Sequence, residues 1–196
     1  MRSIMHLRLL SLAAGVLVGA APLAAQAPAA RGATRLSLTS TDLSRDAKIG
    51  NKHVFNGFGC SGQNVSPQLA WKNAPAGTKS FAITAYDPDA PTGSGWWHWV
   101  VFDVPATVTA LPSGAGSTTP SALPAGAVQG NTDFGTKGYG GPCPPPGDRP
   151  HRYIFTVHAL KVAKLDVPAN ATAAMVGFSI NANRLASATL TARYGR

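Results

Sequence analysis

The side chains best placed for chemistry are Asp87, Asp89, His98, His151 and Tyr153. Asp87-Pro-Asp-Ala-Pro91 ends one β-like run, Trp96-Trp97-His98-Trp99 opens a second, and Pro150-His151-Arg152-Tyr153 opens a third. A carboxylate accepts hydrogen bonds, and an imidazole donates, accepts or carries charge near neutral pH. Two such pairs brought together can hold a small polar group or move a proton. Of the two acids, Asp87 is the better ligand candidate and Asp89 the better candidate for fixing the turn. Other chemistry finds little support. No HxH, HExxH or paired CxxC spacing suggests a metal, and no GxSxG elbow presents a serine. Gly57 to Gly62 fits GxGxxG, but no strand-to-helix context surrounds it and Ser66-Pro67 follows, so a dinucleotide site is rejected.

These residues need strands to position them. Lys79 to Tyr86, Trp97 to Val104 and Arg152 to Leu160 read as strong strands. Thr34 to Leu43, Lys52 to Phe55, Leu69 to Lys72 and Ala127 to Asn131 read as weaker ones. Phe134 to Pro150, rich in Gly and Pro, must be a shaped loop. A helix capped by Asn170 is expected to start within Ala171 to Ala174, and further helical turns are expected from Asn183 to Thr191. Strand alternation puts Phe81, Ile83, Ala85 and Asp87 on one face. It likewise groups His98 with Val100, Phe102 and Val104, and His151 with Tyr153, Phe155 and Val157. His158 falls opposite His151 and is read as unrelated to it. Each stripe is apolar with one polar end, so antiparallel pairing would gather Asp87, His98 and His151 at one rim. Gly140 and Gly141 would let backbone N–H groups approach a ligand there, behind a proline wall. The fold class is a mainly antiparallel β-sandwich with short C-terminal helices.

Of the 196 residues, Arg2 and Arg8 flank the start of an apolar run from Leu9 to Ala21, followed by small residues. This reads as a signal peptide over 1–25, with a flexible lead-in at 26–34 and the domain over 35–196. The run is short for a membrane anchor and is broken by Gly15, Gly19 and Pro22. The formal charge is +9, and all eight acids are Asp. Lys and Arg are scattered rather than clustered, which argues against a nucleic-acid partner. Cys60 and Cys143 can form a disulfide in an oxidising compartment or remain two free thiols.

Four segments carry a family resemblance: NVSPQLAWKNAP at 64–75, DPDAP at 87–91, WWHWVVFDVP at 96–105 and GYGGPCPPPGDRPHRYIFTVHAL at 138–160. Together they resemble the phosphatidylethanolamine-binding protein family, in particular its bacterial Raf-kinase-inhibitor-like branch, from about Leu36 onward. The resemblance implies a Greek-key β-sandwich with a small pocket for phosphate-like or carboxylate groups, phospholipid head groups among them. It assigns the pocket to Asp87, His98, His151 and Tyr153, its turn to Asp89 and Pro91, and its wall to Gly141, Pro142, Pro144 and Pro145. Trp97 stands where some eukaryotic members carry a second adjacent histidine. The expectation is a secreted or periplasmic binding protein, monomer or homodimer, with no cofactor, no catalytic residue and no stable membrane span. The alternatives are a protein-interaction modulator of a kinase, a protease or a host response, and a hydrolase using His-Asp acid–base chemistry.

Overall fold

The computed structural model describes residues 35–119 and 122–196. The expected signal peptide and lead-in lie outside them. In chain order the elements are β1 (Ser37–Thr39), β2 (Asn56–Gly57), β3 (Cys60–Ser61), β4 (Leu69–Lys72), β5 (Ser80–Asp87), β6 (Trp96–Pro105), β7 (Ala110–Leu111), β8 (Val128–Gln129), β9 (His151–Leu160), α1 (Ala173–Asn183) and β10 (Arg184–Tyr194). One sheet runs β10-β9-β5-β6-β8 and a smaller one β1-β4-β7, every pairing being antiparallel; β2 and β3 form a hairpin.

The two sheets face each other across the main core. Leu38, Leu69, Trp71 and Leu111 from the smaller sheet meet Phe81, Ile83, Trp99, Val101, Phe155 and Val157 from the larger. Behind the larger sheet, Ala82, Val100, Phe102 and Leu160 pack against Leu165 and the Val176–Ile180 face of α1. The three inner strands, β9, β5 and β6, are thus covered on both sides, which explains their near-continuous apolar sequences.

Several expected elements are corrected. The first strand shrinks to three residues because the Ser40 hydroxyl accepts from the N–H groups of Asp42 and Leu43 and turns the chain. Residues 51–53 form a 3-10 turn, not a strand, and buried His53 is tied there to the Val65 carbonyl. The cap of α1 is Thr172, not Asn170; its hydroxyl accepts from the N–H of Met175. The expected second helix is the long edge strand β10, paired with β9 along its length. Its small residues hide a period of two: Ala186, Ala188, Leu190 and Ala192 turn to the core.

The expected stripe of His98, Val100, Phe102 and Val104 is also broken. Strand β6 carries two register shifts against β5. Ala85 faces Trp99 while Tyr86 faces Trp97, and Phe81 faces Val104 while Ile83 faces Val101. The extra residues sit at His98 and beside Asp103, which adopts φ of 57°. Val100 and Phe102 therefore face the helix, and Val104 faces the sandwich core.

Candidate functional site

The bulge at His98 is what builds the site. His98 is released from the β5 ladder, and the 133–143 loop takes over its polar groups. Its carbonyl accepts from the Gly140 N–H at 2.9 Å, and its Nδ1–H donates to the Gly140 carbonyl at 2.7 Å. Asp133 docks the same loop by accepting from the Trp97 N–H at 2.7 Å. This places Phe134 edge-on to the His98 ring, 5.4 Å between centroids.

Asp87, at the end of β5, is buried and fully used. One carboxylate oxygen accepts from the Asp89 N–H at 2.8 Å, and the other from His151 Nδ1–H at 2.8 Å. His151, the first residue of β9, is 2% exposed, and its Nε2 lies 3.2 Å from Asp148 Oδ2. Both contacts are hydrogen bonds at once only when both ring nitrogens carry protons. Asp89 serves the scaffold. It accepts from the backbone and guanidinium of Arg152, at 2.8 to 2.9 Å, and lies 3.6 Å from Arg149. The Arg152 bonds hold its carboxyl far below the usual carboxylate range, against the opposing pull of burial. The acidic turn is thereby latched to the start of β9.

Tyr153, two residues into β9, meets the His98 ring edge-on at 5.1 Å. Its hydroxyl is buried and makes no well-formed hydrogen bond within the chain, although the Asp87 carboxylate lies close enough to act on it as an acceptor. Burial, followed by the nearby charge of Asp87, pushes its ionisation far up, so it remains a phenol and a donor. His98 behaves oppositely. Burial pulls its pKa down to about 4, despite the Gly140 carbonyl and Asp87. It is therefore neutral at pH 7, and with Nδ1–H given to Gly140, Nε2 presents a lone pair.

Asp87, His98, His151 and Tyr153 line one cavity of about 150 Å³, together with Pro91, Pro144 and Pro145. Four of the sequence-predicted residues do not line it: Asp89, Trp97, Gly141 and Pro142. Trp97 packs against Tyr86 instead, the rings tilted at 43° with 4.7 Å between centroids. The Gly140 and Gly141 N–H groups are not offered to a ligand; they go to the His98 carbonyl and the Asn64 side chain. Gly141 is required for another reason, since a Cβ there would lie 2.1 Å from the His53 carbonyl oxygen. Sequence reasoning missed Phe58, Ala90, Thr92, Trp96, Phe134 and Cys143, which complete the lining. Phe58 is in the turn of the β2–β3 hairpin and Phe134 in the loop before β9, both distant in sequence from the strand ends that carry the polar residues, and only the Gly-rich setting of each hinted at a shaped approach. Cys60 and Cys143 are joined, which ties the β2–β3 hairpin to the proline wall. Among the described residues, no three His, Cys or Asp side chains are grouped to hold a metal ion, and no helix is long and apolar enough to cross a membrane.

Comparisons with known proteins agree with this architecture. The chain is 54% identical over 162 residues to the UPF0098 protein YbcL of Escherichia coli K12, covering 83% of this chain and 88% of that protein. It is 55% identical over 159 residues to YbhB of the same organism, covering 81% and 99%. The crystal structure of E. coli YbcL, described as a new member of the mammalian PEBP family, matches with a TM-score of 0.81 at 53% identity, over 83% of this chain and 99% of that one. A family model described as phosphatidylethanolamine-binding protein matches residues 39–195, and the chain belongs to that family.

Proposed function

We propose that this chain is an exported binding protein whose cavity takes a small, singly protonated phosphate-like group. The observation that carries this reading is the buried Tyr153 hydroxyl, near Asp87 but without a well-formed hydrogen bond, beside the free Nε2 of His98. A buried donor left unsatisfied costs about 1–3 kcal/mol, a cost that a bound oxygen removes. The complement is specific. A phosphate monoanion has P–O⁻ oxygens to accept from Tyr153 and from His151 Nε2–H, and a P–OH to donate to His98. Asp87 need not touch the ligand, because both its oxygens are engaged by Asp89 and His151. Its task is to orient His151.

Binding rather than turnover is the reading because neither the aliphatic hydroxyl nor the sulfur in the lining is available as a nucleophile. The Thr92 hydroxyl donates to the Gly95 carbonyl, and Cys143 is in the disulfide. Export is inferred from the basic and apolar N-terminal sequence and from the joined cysteines. A processed N-terminus on protein recovered from the periplasm would support it.

Tyr153→Phe tests the pocket directly, because that hydroxyl makes no well-formed hydrogen bond for the substitution to remove. Titration with phosphoethanolamine should show affinity reduced about tenfold, roughly one lost hydrogen bond to a charged group, with stability unchanged or raised. His151→Ala should abolish binding. Equal affinity in wild type and both variants defeats the reading. Affinity should also fall from pH 6 to pH 8 as the phosphomonoester loses its second proton, near pH 6.

A further inference from the structure

The cavity has a polar floor and an apolar mouth, and the mouth is built around one unusual residue. Phe58 is 69% exposed, a conspicuous position for a large apolar ring. Its backbone lies in the left-handed region, φ 51°, which is disfavoured for a bulky residue. Strain of this kind persists only where the surroundings impose it. Here they do so from several sides. Cys60, two residues on, is bonded to Cys143. The Arg196 guanidinium donates to the Phe58 carbonyl at 3.3 Å and to the Pro144 carbonyl at 2.7 Å, joining the two sides of the mouth. The ring packs at 5.4 Å from Phe55 and lies nearly parallel to Phe134 at 6.0 Å. Trp96, edge-on to Phe134 at 5.4 Å, continues the apolar surface. The fold thus holds an aromatic face open to solvent, at the entrance to a cavity whose polar groups lie below it.

We infer that Phe58 is a second subsite, which takes a ring-sized apolar substituent carried by the anion that the polar floor holds. The inference rests on the phosphate-binding reading and names the ligand class more narrowly: an organic phosphate monoester with an aryl or short alkyl group, rather than inorganic phosphate. A bare phosphate would leave the apolar mouth wet. An ester places its substituent against Phe58, Trp96 and Pro144, where apolar surface leaves water on both partners. An aromatic substituent gains a further increment from offset stacking on the open face of Phe58.

The test uses the oxidised protein and four probes: inorganic phosphate, phenyl phosphate, hexyl phosphate and uncharged benzyl alcohol. Binding is read by calorimetry and by the side-chain resonances of Trp96. Wild type should bind phenyl phosphate at least tenfold more tightly than inorganic phosphate. Phe58→Ala should remove that preference, and Phe58→Trp should restore it. Hexyl phosphate matching phenyl phosphate would assign the subsite to apolar area alone; a weaker hexyl ester would assign it to ring stacking. A preference that is absent in wild type, or that survives Phe58→Ala, overturns the inference. If no phosphate binds, yet benzyl alcohol perturbs Trp96 only when Phe58 is present, the subsite stands and the anion reading falls. If neither binds, both fall.

Discussion

Strand β9 carries two buried histidines, His151 and His158, whose odd separation puts them on opposite faces of the sheet. His151 has a carboxylate at each ring nitrogen and forms part of a cavity wall. His158 has the Thr84 hydroxyl 3.1 Å from Nε2, while its Nδ1 is buried without a partner. Burial, with Arg184 adding repulsion, pulls its pKa down to about 4. The two rings are comparably hidden, so burial does not distinguish a site from a core position. What distinguishes them is the company: carboxylates and an opening at one end, a hydroxyl and packed side chains at the other.

The two ends of β9 differ most at Asp87. Asp87→Ala strips a buried partner from His151 and an acceptor from the Asp89 N–H. Removing one member of a buried pair costs about 3–5 kcal/mol. Denaturant unfolding at pH 7 should show a loss of that size together with loss of phosphate binding, and an unchanged midpoint would mean that the pair contributes nothing.

Acid tests the neutral histidines next. His98 and His158 have folded pKa values of about 4, below the unfolded value near 6.5. As pH falls, the unfolded chain takes up these protons first. The stability associated with each ring is therefore complete above pH 6.5 and drains away between about 6.5 and 4, by about 3 kcal/mol per ring. Urea unfolding at pH 7.5 and pH 4.5 should register both losses in wild type. His158→Gln should show only the His98 share; a profile identical to wild type would rule out His158 as an acid-sensitive position. Thr84→Val is a smaller perturbation at the same end. It leaves both nitrogens of His158 without partners and should cost about 2 kcal/mol. Phosphate affinity should not change, since Thr84 lies away from the cavity.

How legible these two ends were in the sequence follows from the forces that build them. The separation of His151 and His158 onto opposite faces could be read from parity, because β9 runs without a bulge against β5. The polar ends of β5 and β9 could be read in the same way. The position of His98 could not be derived by alternation, because the bulge that frees it depends on how the β6 backbone pairs with β5. The apolar mouth was hidden for a similar reason. Phe58 and Phe134 belong to loops brought together by tertiary hydrogen bonds and the disulfide, which leave no periodic trace. Strand β10 read as helix because alanine favours helix when considered locally, whereas pairing with β9 decided its conformation.

The finest distinction between the two histidines is at Asp148. Its carboxylate is partly exposed, in a turn after Gly147 with φ of 87°, and it takes the Nε2 proton of His151 that a ligand oxygen would need. The chain thus supplies its own anion at the position where a phosphate oxygen would bind. Asp148→Asn keeps the shape and leaves His151 paired with Asp87, but offers only a neutral acceptor, which holds the proton less firmly. The competition is then weaker, and repulsion between the turn and an incoming anion is gone. Phosphate affinity should rise about tenfold, or about 1.4 kcal/mol. Stability should change by less than about 1 kcal/mol, because an exposed partner contributes little. Weaker binding in Asp148→Asn would reverse the assignment: Asp148 would then be orienting the His151 ring for the ligand rather than standing in its place. Either direction separates His151 from His158, where no carboxylate is bonded to the ring and the corresponding substitution does not exist.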